Sequence, residues 1–479
     1  MVSACPVRAR ALEAPGALAL VASGRRLTFA ELDVEVAAWA ARLHRLGVSP
    51  RDRVALLAWN GLPAAALLFA VRRLRATLVP LNARLTRAEL RPLVERLEPR
   101  LVLAEESLGE RLPGASILES LAGERCRPHP DADSLAPAED WALLFTSGTT
   151  GQPKAARLPV AGLLASAAAS RRNLGASPED RWLCTLPLFH VGGLAMAVRC
   201  AVDGSALVLH RRFEAEAVAR ELAEGGITHT SLVARTLALS LDAGARGPAL
   251  RAVLVGGGPL PESLAVRGRA AGLPLLRTYG LTEACSQVAT ERPEEADGAS
   301  CGPALPSLEI RIDATGEILV RGPTLMAGYH GDAASSAAVL AGGWLHTGDL
   351  GALDERGRLR VLARRSDLII SGGENVYPAE VEAVLASHPS VVEAAVVGRE
   401  DADWGEVPVA AVVLRPGTGP EGLLPWARGR LAGFKVPAEL VVLPALPRTA
   451  LEKVDRAALQ KQLSVERRAG TSQMAKGVL

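Results

Sequence analysis

Aromatic residues are scarce in this chain of 479 residues, which has 6 Phe, 7 Trp and 3 Tyr. Surfaces that bind single-stranded nucleic acid stack bases on aromatic rings, so this scarcity argues against such a surface. An excess of charge of one sign is also missing, because 54 basic residues nearly balance 52 acidic residues and leave a net charge of +2. We therefore expect no electrostatic field that would gather nucleic acid.

Long hydrophobic runs are absent too, and none approaches the roughly 18 residues that a membrane-spanning helix needs. The first 20 residues contain Pro, Glu and Arg and are unlike a signal peptide. The six cysteines, at positions 5, 126, 184, 200, 285 and 301, form no C-x-x-C pair, which is typical of reduced thiols. We therefore expect a cytoplasmic globular protein without a membrane span.

Two patterns divide the chain. From about residue 27 to 290, helical stretches alternate with short apolar runs such as Trp182–Leu186, Ala206–His210 and Ala252–Val255, which is typical of layered α/β sheets with mostly parallel strands. Short strands with Gly turns over residues 295–365 predict a small antiparallel β unit. We predict an α/β protein with a large N-terminal body, residues 1–364, and a small C-terminal α+β domain, residues 365–479.

Lysine is rare, with five residues against 49 arginines. In such a chain, a lysine is more often kept where a compact ammonium is needed. Lys154 ends the segment Phe145–Lys154, FTSGTTGQPK, which follows an apolar strand. Glycines let backbone N–H groups approach an anion, hydroxyls add donors, and lysine adds a positive charge. The segment therefore predicts a phosphate-binding loop rather than a flexible surface loop.

This segment resembles the phosphate loop of the adenylate-forming superfamily of acyl-CoA synthetases, peptide adenylation domains and luciferases. The family pattern is Tyr or Phe followed by TSGTTGxPKG, and only Ala155, in place of the last Gly, departs from it. Further motifs follow in the family's order from about residue 25 to 460. The loop residues that this resemblance assigns to ATP are Thr146, Ser147, Gly148, Thr149, Thr150, Gly151 and Lys154.

The segment Tyr279–Glu283, YGLTE, resembles the family element in which the threonine touches phosphate and the glutamate holds Mg²⁺. Thr282 and Glu283 would take these roles, and Mg²⁺ typically binds one or two carboxylates together with phosphate oxygens. Read alone, the same segment also fits a helix start with Thr282 as its cap. The other nucleotide-binding residues that the resemblance implies are Tyr279, Gly257, Gly258, Asp349 and Arg364.

The C-terminal motifs resemble the family's mobile domain. Gly372 and Gly373 would line the CoA tunnel, and Lys453 would be the catalytic lysine of adenylation. Four residues depart from the family pattern, namely Ala155, Ala363, Ser366 and Glu452. Glu452 replaces a glycine, so a left-handed backbone there would cost of order 1 kcal/mol, and a carboxylate near phosphate would be unfavourable. The placement of Lys453 therefore depends on how Glu452 is accommodated.

The resemblance implies an AMP-forming acid–CoA ligase with ATP, Mg²⁺ and CoA. A carboxylate attacks the α-phosphate of ATP and releases pyrophosphate, and a thiol then attacks the acyl carbon and expels AMP. Because the carboxylate is already ionised at pH 7, the first step needs charge neutralisation and positioning rather than a general base. Lys154, Thr282 and Glu283 would act on the phosphates, and Lys453 would bridge the carboxylate and the developing charge.

The stretch around His190 indicates which carboxylic acid the enzyme activates. LPLFHVGGL, followed by Arg199, resembles the o-succinylbenzoate–CoA ligases of menaquinone biosynthesis, although Gly192 stands where those have Ser. That acid keeps a second carboxylate, and a buried carboxylate needs a paired cation. From the residues alone, Arg199 could instead pair with Asp203 on one helix face, and His190 could be structural. The substrate-binding residues that the resemblance implies are His190, Arg199, Ser231 and Gly258.

Other functions stay open. The same mechanism would serve an aryl- or fatty-acyl-CoA ligase of secondary metabolism, or an adenylation domain that loads a carrier protein. The four departures also fit a nucleotide-binding homologue without ligase activity. We expect the acid, ATP and CoA as small-molecule partners, and the sequence leaves homodimerisation open.

Overall fold

The computed structural model describes residues 5–122, 136–146, 153–364, 367–371, 374–401, 404–449, 452–469 and 475–476. Its helices are α1 (Pro6–Glu13), α2 (Phe29–Arg45), α3 (Leu62–Arg73), α4 (Arg87–Leu97), α5 (Leu118–Ala122), α6 (Val160–Leu174), α7 (Val191–Asp203), α8 (Ala215–Glu224), α9 (Ala234–Asp242), α10 (Glu262–Ala270), α11 (Ala333–Val339), α12 (Pro378–Ala386), α13 (Leu423–Arg428) and α14 (Arg456–Ala469). Its strands are β1 (Leu18–Ala22), β2 (Arg25–Thr28), β3 (Arg53–Leu57), β4 (Thr77–Leu81), β5 (Leu101–Ala104), β6 (Ser116–Ile117), β7 (Asp140–Thr146), β8 (Lys154–Pro159), β9 (Arg181–Cys184), β10 (Ala206–Leu209), β11 (His229–Leu232), β12 (Ala252–Val255), β13 (Leu275–Leu281), β14 (Ser286–Thr290), β15 (Glu309–Ile312), β16 (Glu317–Arg321), β17 (Leu340–Ala341), β18 (Trp344–Leu353), β19 (Leu359–Arg364), β20 (Ile369–Ser371), β21 (Glu374–Val376), β22 (Val391–Asp401), β23 (Gly405–Leu414), β24 (Glu439–Val442) and β25 (Ala475–Lys476).

Local signals set the ends of several helices. The Thr28 side chain accepts a hydrogen bond from the Glu31 backbone, and the Glu31 carboxylate accepts one from the Thr28 backbone, so a capping box starts α2. Thr86 and Glu89 start α4 in the same way. The end of α7 is marked by Gly204 in the left-handed conformation, which glycine adopts without strain. These signals fix the limits of helices that pack around the site.

Two sheets with mostly parallel strands form the layers of the N-terminal part. One has the order β14-β13-β12-β11-β9-β10-β1-β2, with antiparallel strands only at its edges. The other has the order β6-β5-β3-β4-β7-β8, with β8 antiparallel to β7. Side chains of both sheets and of α2, α3, α6 and α7 share one core, which includes Trp39, Trp141 and Trp182. The predicted layered α/β architecture is confirmed.

Two further sheets follow along the chain. Strands β15, β16, β18, β17 and β19 form an antiparallel sheet, as predicted for residues 295–365. The C-terminal sheet has the order β21-β20-β23-β24-β25, with β22 beside β23, and α12 and α13 pack on it around a core of its own that includes Val381 and Leu424. The domain boundary after residue 364 stays a prediction.

Neither a membrane span nor a disulfide is found in the described part of the chain. No helix there is both long and apolar enough to cross a bilayer. Five of the six cysteines lie in the described ranges, and all five are free thiols.

Candidate active site

Three parallel strands, β11, β12 and β13, end at one edge of the eight-stranded sheet. Ligands of open parallel sheets bind at the carboxyl ends of the strands. Ser231 lies near the end of β11, and Gly257 follows β12 with φ +78°. A Cβ atom added at Gly257 would lie 3.2 Å from Cε and 3.6 Å from Nζ of Lys453. The sheet edge therefore brings Gly257 and Lys453 together across 196 residues of sequence.

Asp349 is held from two sides at the same edge. The Tyr279 hydroxyl donates to Asp349 Oδ2 at 2.7 Å, and Arg364 Nε donates to Oδ1 at 3.1 Å. Burial, and then the charge of Asp349, raise the pKa of Tyr279 well above its ordinary value, so the phenol stays a donor. A carboxylate can only accept hydrogen bonds, which suits it to a pair of ribose hydroxyls. Tyr279, Asp349 and Arg364, which the resemblance assigns to nucleotide binding, are thus in contact with one another, and that role stays a prediction.

The phosphate side of the site is built around Lys154 at the start of β8. Its Nζ donates to Ser335 Oγ at 2.8 Å and lies 5.3 Å from the centroid of the Tyr329 ring. The Tyr329 hydroxyl donates to Glu283 Oε1 at 3.0 Å. Lys154 and Glu283 are therefore linked through one tyrosine, which the sequence reasoning missed. The one sequence signal that could have pointed to Tyr329 was the scarcity of tyrosine, because the chain has only three, and Tyr279 and Tyr329 both lie in this site.

Thr282 and Glu283 begin a short 3₁₀ turn, Thr282–Ala284, directly after β13. The residue before this turn is Leu281, and no side chain caps it, so the alternative in which Thr282 is a helix cap is wrong. Thr146 pairs with Lys154 across β7 and β8. The other predicted loop residues, Ser147, Gly148, Thr149, Thr150 and Gly151, lie outside the described residues.

The donor set at Glu283 fits a nucleotide-bound Mg²⁺ rather than a metal site made by protein alone. Among the described residues, no three His, Cys, Asp or Glu side chains cluster as metal ligands. A Mg²⁺ ion that is shared with phosphates needs only one or two carboxylates from the protein. Glu283, which is linked to Lys154 through Tyr329, meets that requirement.

The Lys453 side chain is exposed and, within the described ranges, makes no ion pair or hydrogen bond. Enough protein surrounds it that desolvation lowers its pKa, and the charge of Arg364 acts in the same sense while Asp349 opposes it. Burial, with smaller effects of the Lys453 and Arg84 charges, lowers the pKa of His190 to about 3. His190 is therefore neutral at pH 7, and it shares the electrostatic surroundings of Lys453.

Arg199 lies on α7, which begins directly after His190, and its side chain is buried. Its Nη2 donates to Gln287 Oε1 at 2.8 Å, and its guanidinium carbon lies 4.8 Å from the Trp182 ring centroid. No carboxylate of the described residues lies within 4 Å of it, so the alternative pairing with Asp203 is wrong. The side chain turns toward Gln287 and Trp182 instead. Sequence reasoning missed Gln287, because only the pairing of β14 with β13 brings it there.

Two family models match the chain. The model for AMP-binding enzymes matches residues 7–330, and that for the C-terminal domain of AMP-binding enzymes matches residues 380–453. The chain belongs to the AMP-binding enzyme family. The resemblance seen in the sequence motifs is thereby confirmed.

This AMP-binding enzyme has relatives that match it over nearly its full length. It is 38% identical to the 2-succinylbenzoate–CoA ligase of Bacillus licheniformis, over 94% of this chain and 98% of the relative. Its structure is similar to that of o-succinylbenzoate CoA synthetase from Bacillus subtilis in complex with the acyl-adenylate intermediate OSB-AMP, with a TM-score of 0.90, 36% identity and 99% of each chain covered. The same Bacillus subtilis enzyme in complex with ATP and magnesium ion gives a TM-score of 0.89 and 37% identity, over 95% of this chain and 99% of that one.

The four departures of this AMP-binding enzyme from its family's motifs differ in consequence. Ala155 and Ala363 lie within β8 and β19, where neither has a positive φ, so the backbone does not require glycine at either position. Glu452 does adopt the left-handed conformation, with φ +60°. Ser366, like the predicted tunnel residues Gly372 and Gly373, lies outside the described residues.

Proposed function

We propose that this AMP-binding enzyme is a 2-succinylbenzoate–CoA ligase of menaquinone biosynthesis, which forms an acyl-adenylate from ATP and then a CoA thioester. The observation that carries the reaction is the meeting of Lys453, Gly257 and the Tyr279–Asp349–Arg364 set at one sheet edge. The acid is supported by relatives of that name, which match over nearly the whole chain.

In the first step, the chain's task is to hold two anions in line. Asp349 would accept the ribose hydroxyls, and Lys154 and Thr282 would contact the phosphates. Glu283 would hold Mg²⁺, which when bound neutralises part of the phosphate charge. The Lys453 ammonium, which has no partner among the described residues, would then bridge the attacking carboxylate and the α-phosphate.

In the second step, the CoA thiol attacks the acyl carbon and AMP leaves. The proposed tunnel residues are Gly372 and Gly373, where a side chain would obstruct the pantetheine arm. The bond between the acyl carbon and the phosphate oxygen breaks, that oxygen takes a second negative charge onto AMP, and the thiol proton passes to solvent. We assign Lys453 to the first step only.

The choice of a diacid is supported by Arg199. A buried guanidinium with no carboxylate within 4 Å among the described residues carries a desolvation cost of several kcal/mol. Burial accordingly lowers the pKa of Arg199, although the charges of Cys200 and Asp203 act in the opposite sense. The second carboxylate of 2-succinylbenzoate would offset that cost, whereas a benzoate or a fatty acid would not. His190 would complete the acyl site as a neutral group, since its Nε2 is buried with no hydrogen-bond partner among the described residues.

Pyrophosphate release tests the proposal. The enzyme with ATP, Mg²⁺ and CoA is compared on 2-succinylbenzoate, benzoate, anthranilate and a medium-chain fatty acid. We expect clear preference for 2-succinylbenzoate, with the CoA thioester as product. Preference for a monoacid would keep the mechanism and reject the acid, and binding of ATP without pyrophosphate release for any acid would favour a non-catalytic homologue.

A further inference from the structure

The described residues on either side of 450–451, which are 447–449 and 452–455, pair with each other like the two arms of a hairpin, and Lys453 lies on the second arm. The Thr449 backbone N–H donates to the Lys453 carbonyl at 2.8 Å, and the Asp455 N–H donates to the Pro447 carbonyl at 2.8 Å. Arg448 and Val454 pair across it. Glu452, with φ +60°, directly precedes Lys453 in this hairpin, so a contact that restrains Glu452 also restrains the backbone at Lys453.

One arginine fastens this hairpin to the C-terminal sheet. Arg448 Nη2 donates to both carboxylate oxygens of Glu393, at 2.7 and 2.6 Å, and its Nη1 donates to the Glu452 carbonyl at 2.7 Å. Both side chains of this ion pair are mostly buried. A paired guanidinium of this kind is among the stronger hydrogen-bonded contacts in proteins. The backbone before Lys453 is thereby fixed relative to β22.

Two ion pairs then connect this assembly to the N-terminal part of the chain. Arg84, three residues after β4, places Nη1 3.4 Å from Glu452 Oε1. Arg235, in the first turn of α9, places Nη1 3.3 Å from Glu393 Oε1. In both pairs the cation comes from the N-terminal part and the carboxylate comes from the C-terminal sheet or the Lys453 loop. The two contacts therefore hold the loop over the edge at which Gly257 lies.

We propose that Glu452 is a positioning residue for Lys453, and that its pair with Arg84 holds the lysine in place for adenylate formation. The proposal rests on the proposed function, since it assigns a role in that reaction's first step. Glu452 stands where the family motif has glycine, and its carboxylate points to Arg84. The left-handed backbone would be easier for glycine, so the ion pair supplies a reason for a glutamate at this position.

A positioning role and an ordinary surface ion pair predict different effects on the melting temperature and on the two half-reactions. An exposed pair contributes little to stability, so removing it should barely alter the melting temperature. A contact that positions Lys453 should alter the step in which Lys453 acts and spare the thioester step. The two half-reactions can be measured separately, by ATP–pyrophosphate exchange with the acid and by thioester formation from prepared acyl-adenylate and CoA.

A charge-swap cycle tests the proposal. In R84E two carboxylates face each other, and we expect pyrophosphate exchange to fall about fivefold to tenfold with thioester formation within twofold of the wild type. The swap R84E/E452R restores an opposite-charge pair and should recover exchange to within about twofold. E452Q keeps the backbone and side-chain length, so it should lower exchange about twofold to threefold at low salt and match the wild type in 1 M NaCl, where the pair is screened.

The control is R267E, which reverses a charge in the exposed Arg267–Asp242 pair between α9 and α10 and should leave both half-reactions unchanged. Equal loss of both half-reactions in R84E, no loss of exchange, or no recovery in the swap would each overturn the positioning role. A wild type that does not activate 2-succinylbenzoate would contradict the proposed function alone. The cycle would then be measured with whichever acid of the panel the wild type adenylates, because Lys453 acts on the carboxylate that all of them share.

Discussion

At the scale of single residues, the two lysines of the site differ in how they are held. Lys154 donates to Ser335 and lies against Tyr329, so two side-chain contacts hold its ammonium in place. Lys453 has neither contact, and its ammonium depends on the loop that carries it. A fixed cation suits phosphates that stay bound, and a cation on a loop suits charge that develops during one step.

Replacing Lys453 by alanine should therefore separate the two half-reactions. We expect K453A to lose at least about 100-fold in pyrophosphate release, since an ammonium that meets the developing charge is removed. Thioester formation from prepared acyl-adenylate should stay within about twofold. K461A is the matched control, because Lys461 lies on α14 and is exposed. Equal loss of both steps in K453A would show that the lysine of adenylation is not this one.

Arg199 sets a second test at this scale. We expect R199L to lower kcat/KM for 2-succinylbenzoate at least about tenfold, because a buried carboxylate would lose its cation. Activity with a monoacid analogue should fall far less, and R199K, which keeps the charge, should retain more of the diacid activity than R199L. If R199L loses the same factor with both acids, Arg199 does not pair with the second carboxylate.

At the scale of elements, helix α7 carries a buried carboxylate, Asp203, whose pKa should make the stability of the fold depend on pH. Asp203 is fully buried, its nearest cation is Arg171 at 3.9 Å, and neither carboxylate oxygen has a hydrogen-bond partner among the described residues. Burial raises the pKa of Asp203 to about 6, although Arg199, Arg171 and Arg10 act in the opposite sense. The ordinary pKa in the unfolded chain is about 3.9, so the folded state favours the protonated form.

The sign of the pH effect follows from that difference. Protonation of Asp203 supports the fold fully below about pH 4, and this support is lost as the pH rises through about 6. D203N keeps the shape and cannot ionise, so we expect it to raise the free energy of unfolding by about 2 kcal/mol at pH 8. The gain should shrink toward zero near pH 4, as measured by urea unfolding at both pH values.

The control for this experiment is D242N, in which the replaced carboxylate is exposed, and it should show no comparable pH dependence. A loss of stability in D203N that is the same at pH 8 and pH 4 would mean that Asp203 is held as an ion.

The strands show how far the sequence could predict secondary structure, because it predicted that two strands exist but not where they end. The runs Trp182–Leu186 and Ala206–His210 predicted two strands, and both exist as β9 and β10, but each ends before its run does. Asn60 explains the difference, because its side-chain amide donates to the Leu186 carbonyl at 3.0 Å and to the His210 carbonyl at 3.1 Å. Those carbonyls accept hydrogen bonds from a side chain more than 100 residues away instead of from a neighbouring strand, and hydrophobic periodicity in the sequence does not reveal such a contact.

At the scale of the whole molecule, the site depends on contacts between distant parts of the chain. Motif spacing could identify Lys453 and Gly257 one by one, because each sits in a short local pattern. The contacts of Arg84, Arg235 and Gln287 could not be predicted, since each depends on how separate sheets and loops are placed. Tertiary ion pairs between arginines and glutamates are also hard to predict in a chain with 49 arginines.

The two contacts between the N-terminal part and the Lys453 loop belong to one network. Arg84 pairs with Glu452 and Arg235 with Glu393, and Arg448 joins the Glu393 carboxylate to the Glu452 carbonyl, so the effects of removing the two arginines should not simply multiply. We expect R84A/R235A to lose about fivefold to tenfold in exchange, more than either single variant, while thioester formation is not reduced. Thermal unfolding of the same variants checks that the fold is intact. If the double variant loses no more pyrophosphate exchange than the more strongly affected single variant, only one of the two contacts matters.

The scarcity of lysine has a chemical consequence for this loop. An amine reacts with electrophiles only in its neutral form, and the lowered pKa of Lys453 increases that form at a given pH. Of the four other lysines, Lys154 donates to Ser335 and Lys435 donates to both carboxylate oxygens of Glu380 at 2.8 Å. Within the described ranges the Lys453 amine has no hydrogen bond or ion pair, which distinguishes it as a nucleophile from Lys154 and Lys435, and its reactivity with an electrophile would report directly on the loop that carries it.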